Sequence, residues 1–113
     1  MTQLDFTFEL YADIEHLRPE QREELEREAR SRLEALAEGH TDLIGASVAL
    51  ERLAHGESPH LYQARVIVYT RPKNIVGVEK AEVLGAALRG ALSAAERQIR
   101  QKRERLGTRY QQP

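Results

Sequence analysis

Apolar and polar residues alternate near the start of the chain: Leu4, Phe6, Phe8 and Leu10 interleave with Asp5, Thr7, Glu9 and Tyr11. A period of two turns one set toward a core and predicts a strand. The period then changes. Pro19 suits the first turn of a helix, where its missing N–H has no partner to lose. Leu25, Ala29, Leu33 and Leu36 follow at helical spacing among charges, and Gly39 accepts the left-handed conformation that closes many helices. This predicts a helix over 19–38. Alternation returns with Ile44, Ala46, Val48 and Leu50 on one face of a second strand. Ala54–Pro59 has turn chemistry, Leu61–Tyr69 is the strongest strand pattern, Arg71–Asn74 turns it, and Ile75–Val78 is a fourth strand. From about Glu79 to Leu106 the pattern is helical again. Leu84, Leu88, Leu92, Ala95, Ile99 and Leu106 fall on one stripe, joined by Ala87 and Ala91, and Gly107 is the expected stop.

The order is β-α-β-β-β-α. Short loops between the last three strands predict an antiparallel meander. Each helix has a single apolar stripe, so the expected architecture is an α+β fold: a four-stranded sheet with two helices packed side by side on one face. One domain over 1–107 and a flexible tail over 108–113 are expected. Composition narrows the class further. Cysteine is absent, which excludes disulfide and thiolate chemistry. No apolar run approaches the ~20 residues of a membrane helix, and Met1–Asp5 lacks the features of a signal peptide. A cytoplasmic location is the expectation, with no membrane partner.

Charge changes the picture most. The chain's formal net charge is −1, yet residues 1–60 carry 6 basic and 14 acidic side chains, and residues 61–113 carry 11 basic and 4 acidic. The excess collects in Ala95–Leu106, A-E-R-Q-I-R-Q-K-R-E-R-L. With Leu84 at the middle of the buried stripe and ~100° per residue, Arg89, Arg97, Arg100 and Arg103 fall on the far side, with Glu96 and Glu104 among them. A helix of ~28 residues spans about 42 Å and outruns a short strand, so Lys102 and Arg105 are expected on an overhanging end. Complementing the helix dipole explains a few such cations. Arginine outnumbers lysine five to one between Arg97 and Arg109, which favours bidentate contact with phosphate. On the first helix Arg27 and Arg30 share the outer face with Glu23, Glu34 and Glu38, which reads as a solvated Glu/Arg surface. Arg65, Ile67, Tyr69 and Arg71 share one face of the third strand, an amphipathic surface for RNA or protein.

The segment Glu96-Arg97-Gln98-Ile99-Arg100 followed by Lys102-Arg103, on the last helix of a β-α-β-β-β-α chain, resembles the ribosome hibernation promoting factor family, also called the ribosome-associated inhibitor or sigma-54 modulation family. The resemblance covers about residues 4–106. It implies a stress factor that binds the small ribosomal subunit in the channel used by messenger and transfer RNA and blocks initiation, with outer helix surfaces facing ribosomal RNA. Arg97, Arg100 and Lys102 or Arg103 take phosphate-contacting roles by position. Arg89 and Arg105 are added from the charge pattern, and Arg27, Arg30, Arg65, Arg71 and Lys73 form a secondary set. The chain departs from the family pattern at Val83 and Gly85, where an Asp-x-Tyr start is common, and at Ala94, where a lysine usually stands. Ending at Pro113, it resembles the short form of the family.

Other chemistry is weakly signalled. His16, His40, His55 and His60 have no i, i+4 pair and no cysteine beside them, so no metal site is expected. Ser58 lacks the glycine that a nucleophile elbow needs after it. No glycine-rich phosphate loop and no pair of carboxylates in opposed environments is present. No catalytic residue, cofactor or small-molecule substrate is therefore expected. Two rival readings stand beside the ribosomal one. One is a salt-sensitive self-associating or protein-interaction module in which the acidic half of one chain meets the basic half of another. The other is a double-stranded RNA module, although such modules place their basic residues at the start of the last helix, where this chain has Glu79, Lys80 and Glu82.

Overall fold

The computed structural model describes residues 6–15, 17–53 and 61–111, with side chains as far as Arg105. Leu4, Asp5, His16, the turn at 54–59, His60 and the side chains of Leu106 and Arg109 lie outside the described residues. The elements are β1 (Thr7–Asp13), α1 (Pro19–Ala37), β2 (Gly45–Arg52), β3 (Tyr62–Tyr69), β4 (Ile75–Ala81) and α2 (Leu84–Gln111). The strands form one mixed sheet in the order β1-β2-β3-β4. The predicted meander is present: β2 pairs antiparallel with β3, and β3 with β4. β1 lies parallel to β2, with Thr7 opposite Gly45 and Asp13 opposite Glu51. Parallel neighbours need a crossover rather than a hairpin, and α1 is that crossover.

The alternation of each strand puts Leu10, then Ala46, Val48 and Leu50, then Ala64, Val66 and Val68, then Ile75 into one buried cluster. Leu25, Ala29, Leu33 and Leu36 of α1 and Leu84, Leu88, Leu92, Ala95 and Ile99 of α2 close over it. Each large aliphatic side chain so buried contributes about 1.5–3 kcal/mol, and with few aromatics available the core is aliphatic. Both helices thus cover the same face of the sheet.

Three local expectations change. Ile44 precedes β2 and is exposed, while Leu43 takes the buried place at the strand entrance. β4 continues to Ala81 instead of yielding to helix at Glu79, because Gln63 pairs with Lys80 and Tyr62 with Ala81. Good helix formers are overridden there by the ladder with β3. α2 accordingly begins at Leu84, and it passes through Gly107 to reach Gln111. Gly39 behaves as predicted, with φ of 77° just beyond α1.

Gly77 of β4 fixes how closely α2 approaches the sheet. A Cβ there would lie 2.3 Å from the Ala91 carbonyl oxygen and 2.9 Å from the Ala95 nitrogen. The helix backbone therefore rests on the strand at this point, and any side chain at position 77 would lift it.

Candidate nucleic-acid interface

The cations of α2 separate into two groups once their partners are traced. Arg103 is only 21% exposed. Its Nε and Nη2 donate to the two carboxylate oxygens of Asp42 at 2.8 and 2.9 Å, and Nη2 also reaches the Leu36 carbonyl at 2.9 Å. The loop after α1 brings Asp42 against the flank of α2, so Arg103 does not sit on the outer face that rotation alone predicts. Arg89 is exposed but donates to both oxygens of Glu28 on α1, at 2.8 and 3.2 Å, and that carboxylate raises the pKa of the guanidinium. Arg32 of α1 makes the third such fork, to Glu96 at 2.7 and 3.1 Å, with Ser93 also in reach. These three bidentate pairs clasp the second helix to the first and its following loop.

The second group faces outward. Arg97, Arg100 and Arg105 are exposed, and they make no ion pair or side-chain hydrogen bond among the described residues. Glu96, which the sequence places among them as a diluting charge, is taken up by Arg32. Glu104 stays exposed on the same side. Lys102 is half-buried rather than overhanging: its Nζ donates to the Arg71 carbonyl at 2.6 Å and to Thr70 Oγ1 at 3.3 Å. It ties α2 to the β3–β4 turn, whose Thr70 hydroxyl donates to the Lys73 carbonyl. Gln98 adds a second tie, from Nε2 to the Val76 carbonyl at 2.8 Å. The turn thereby brings exposed Arg71 and Lys73 beside the end of the helix, and Lys73, Lys102 and Arg105 line a shallow groove together with Gln101.

The remaining candidates lie elsewhere. Arg27 is exposed on α1, and Arg30 is engaged with Glu26 at 3.5 Å and with the Phe8 ring, 5.3 Å from its centroid. Arg65 projects from the sheet face opposite the helices. The structure thus sets Arg71 and Lys73 beside Lys102 and Arg105, places Arg100 in a second groove, on the α1 side of α2, with Arg32, His40 and Arg103, and leaves Arg27, Arg30 and Arg65 apart. Sequence reasoning missed Arg32, Glu28 and Asp42, whose partners lie more than sixty residues away. Among the described residues no group of three or more acidic or histidine side chains suits a metal ion, and no helix is long and apolar enough to cross a membrane.

A sequence model of the sigma 54 modulation protein / S30EA ribosomal protein family matches residues 16–107. The chain belongs to this family. It is a family of ribosome-associated modulation proteins and not a known enzyme family. The fold agrees. The N-terminal domain of Protein Y from Thermus thermophilus superposes with a TM-score of 0.60 at 17% identity, covering 82% of this chain and 93% of that one. A ribosomal subunit interface protein from Coxiella burnetii gives 0.64 at 9% identity, covering 87% and 98%. No curated protein matches the chain. At such low identities shared shape is all that the two structures establish, so within this family domain the roles of individual residues rest on the geometry above.

One consequence of the clasp is measurable. The Arg103 hydrogen bonds hold the Asp42 pKa below the ordinary carboxylate value, against a smaller opposing effect of burial. A carboxyl whose folded pKa is depressed stabilises the fold fully above its unfolded value, about 3.9, and loses that contribution as pH falls through the lower folded value. The denaturation midpoint of the parent protein is therefore expected to exceed that of Asp42→Asn by a constant margin at neutral pH. The margin should close below about pH 3.9. A margin independent of pH would show that the pair contributes through packing rather than charge.

Proposed function

We propose that this chain is a ribosome-binding hibernation factor that occupies the messenger and transfer RNA channel of the small subunit through the basic half of α2 and represses translation in the cytoplasm. The observation that carries the proposal is that, among the described residues, Arg97, Arg100 and Arg105 are exposed and unpaired on α2, with Lys73 sharing a groove with Arg105, while Arg89, Glu96, Lys102 and Arg103 are engaged within the molecule. Guanidinium groups with no internal partner present their full fork of donors to phosphate. Lys102 contributes by holding the turn against the helix, and Arg89 and Arg103 by holding the helices together. No catalytic step is part of this function.

Binding of this kind releases counterions, and three phosphate contacts give a slope of log affinity against log salt of roughly −2 to −3. Raising monovalent salt from about 50 to about 200 mM should therefore weaken co-sedimentation with ribosomes roughly 20- to 40-fold. Binding that ignores salt would refute a phosphate-gripping surface.

A further inference from the structure

The helices cover one face of the sheet, and nothing among the described residues covers the other. Apolar side chains stand along both edges of this face, with Tyr11 of β1 and Val76 and Val78 of β4 58%, 43% and 41% exposed, and Ile67 and Tyr69 of β3 lie half-buried. The charges on this face are sorted by strand. Glu9, Asp13 and Glu51 stand on β1 and β2, while Arg65 and Lys80 stand on β3 and β4. The pairing registers place Asp13, Glu51, Gln63 and Lys80 in one row across the sheet, and Tyr11, Ala49, Arg65 and Val78 in another.

A bare apolar patch of this size on a soluble domain marks an interaction surface. A polyanion is a poor occupant, since half of the face would meet it with carboxylates. We propose that the occupant is a second copy of this chain, docked face to face about a two-fold axis parallel to the strands. That rotation exchanges the two edges of the sheet and keeps each row at its own height. β1 and β2 of one copy then lie over β4 and β3 of the other. Asp13 faces Lys80, and Tyr11 faces Val78, at both ends of the interface. The alternative in-plane axis, perpendicular to the strands, lays β1 over β1 and sets like charges together. Aligned packing of twisted sheets suits the first arrangement.

The face measures about 19 by 23 Å from strand spacing and rise. Roughly 900 Å² is buried in all, below the usual size of a stable interface, so association is weak and concentration-dependent. The outer surface of α2 stays free on the far side of each copy, and the dimer does not rest on the functional reading above.

Sedimentation equilibrium of the full chain from about 5 to about 500 µM tests it, a span of concentration suited to weak association. The mass should rise toward that of a dimer. Lys80→Glu should weaken association about tenfold, because it sets two carboxylates opposite each other twice. Asp13→Lys combined with Lys80→Glu exchanges the partners of the same contact and should restore it. Val78→Asp should abolish it, with circular dichroism confirming that each variant is folded. A monomer throughout the range overturns the proposal. So does a dimer indifferent to Lys80→Glu and Val78→Asp, or a folded double variant that fails to recover. Ribosome co-sedimentation of the same variants keeps the two readings separate, since loss of the dimer should leave it unchanged.

Discussion

Charge reversal of the three outward arginines, Arg97→Glu, Arg100→Glu and Arg105→Glu together, is expected to eliminate detectable co-sedimentation with ribosomes. A hydrogen bond to a charged partner contributes about 1.5 kcal/mol or more, so losing three lowers affinity about a thousandfold, before any repulsion from the new carboxylates. The fold should survive, because none of the three makes an ion pair or side-chain hydrogen bond among the described residues and all are exposed. An unchanged melting temperature beside abolished binding is the expected pair of results. Folded protein that still sediments with ribosomes would remove α2 from the interface. Lys80→Glu, a reversal of equal sign on the opposite face of the sheet, is the matched control and should bind as the parent does.

Substituting Gly77 by valine is expected to have the largest effect on stability. The atoms that a Cβ would meet are the Ala91 oxygen and the Ala95 nitrogen, both backbone, so no rotamer change relieves the contact. Lifting α2 to make room would unpack Ala91, Leu92 and Ala95, which are fully buried on the same side. Overpacking against a fixed backbone costs about 3 kcal/mol or more, which for a domain near this length lowers the melting temperature by about 10 °C. Gly77→Ala should produce a smaller loss in the same direction. A valine variant that melts with the parent would mean that helix and strand separate more easily than their packing indicates.

Much of this fold was legible because its periods are clean. Ala46, Val48 and Leu50, then Ala64, Val66 and Val68, mark one face of two central strands, and the leucine stripe of α2 turns toward them. The place of β1 was less legible: alternation identifies a strand without naming its neighbour, and its parallel partnership with β2 comes from the route of the chain through α1. The start of α2 was misread because Glu79, Lys80, Ala81 and Glu82 favour helix locally, while pairing with β3 is a tertiary fact. The site shows the same division. A helical wheel finds Arg97 and Arg100 on the outer face, since only the angle about the axis is needed. It cannot find that Asp42 draws Arg103 inward or that Thr70 and Arg71 receive Lys102, because those partners arrive from loops whose paths the pattern does not encode.

The clasp between the two helices has a further consequence. Glu28, Asp42 and Glu96 each absorb an arginine that would otherwise add to the molecule's attraction for polyanions. Glu28 and Asp42, both from the acidic first half of the chain, therefore act as an internal counterweight to Arg89 and Arg103 of α2, capping how adhesive the outer helix becomes. Neutralising one of these carboxylates trades anchorage for stickiness, so indiscriminate adsorption and looser helix docking would rise together.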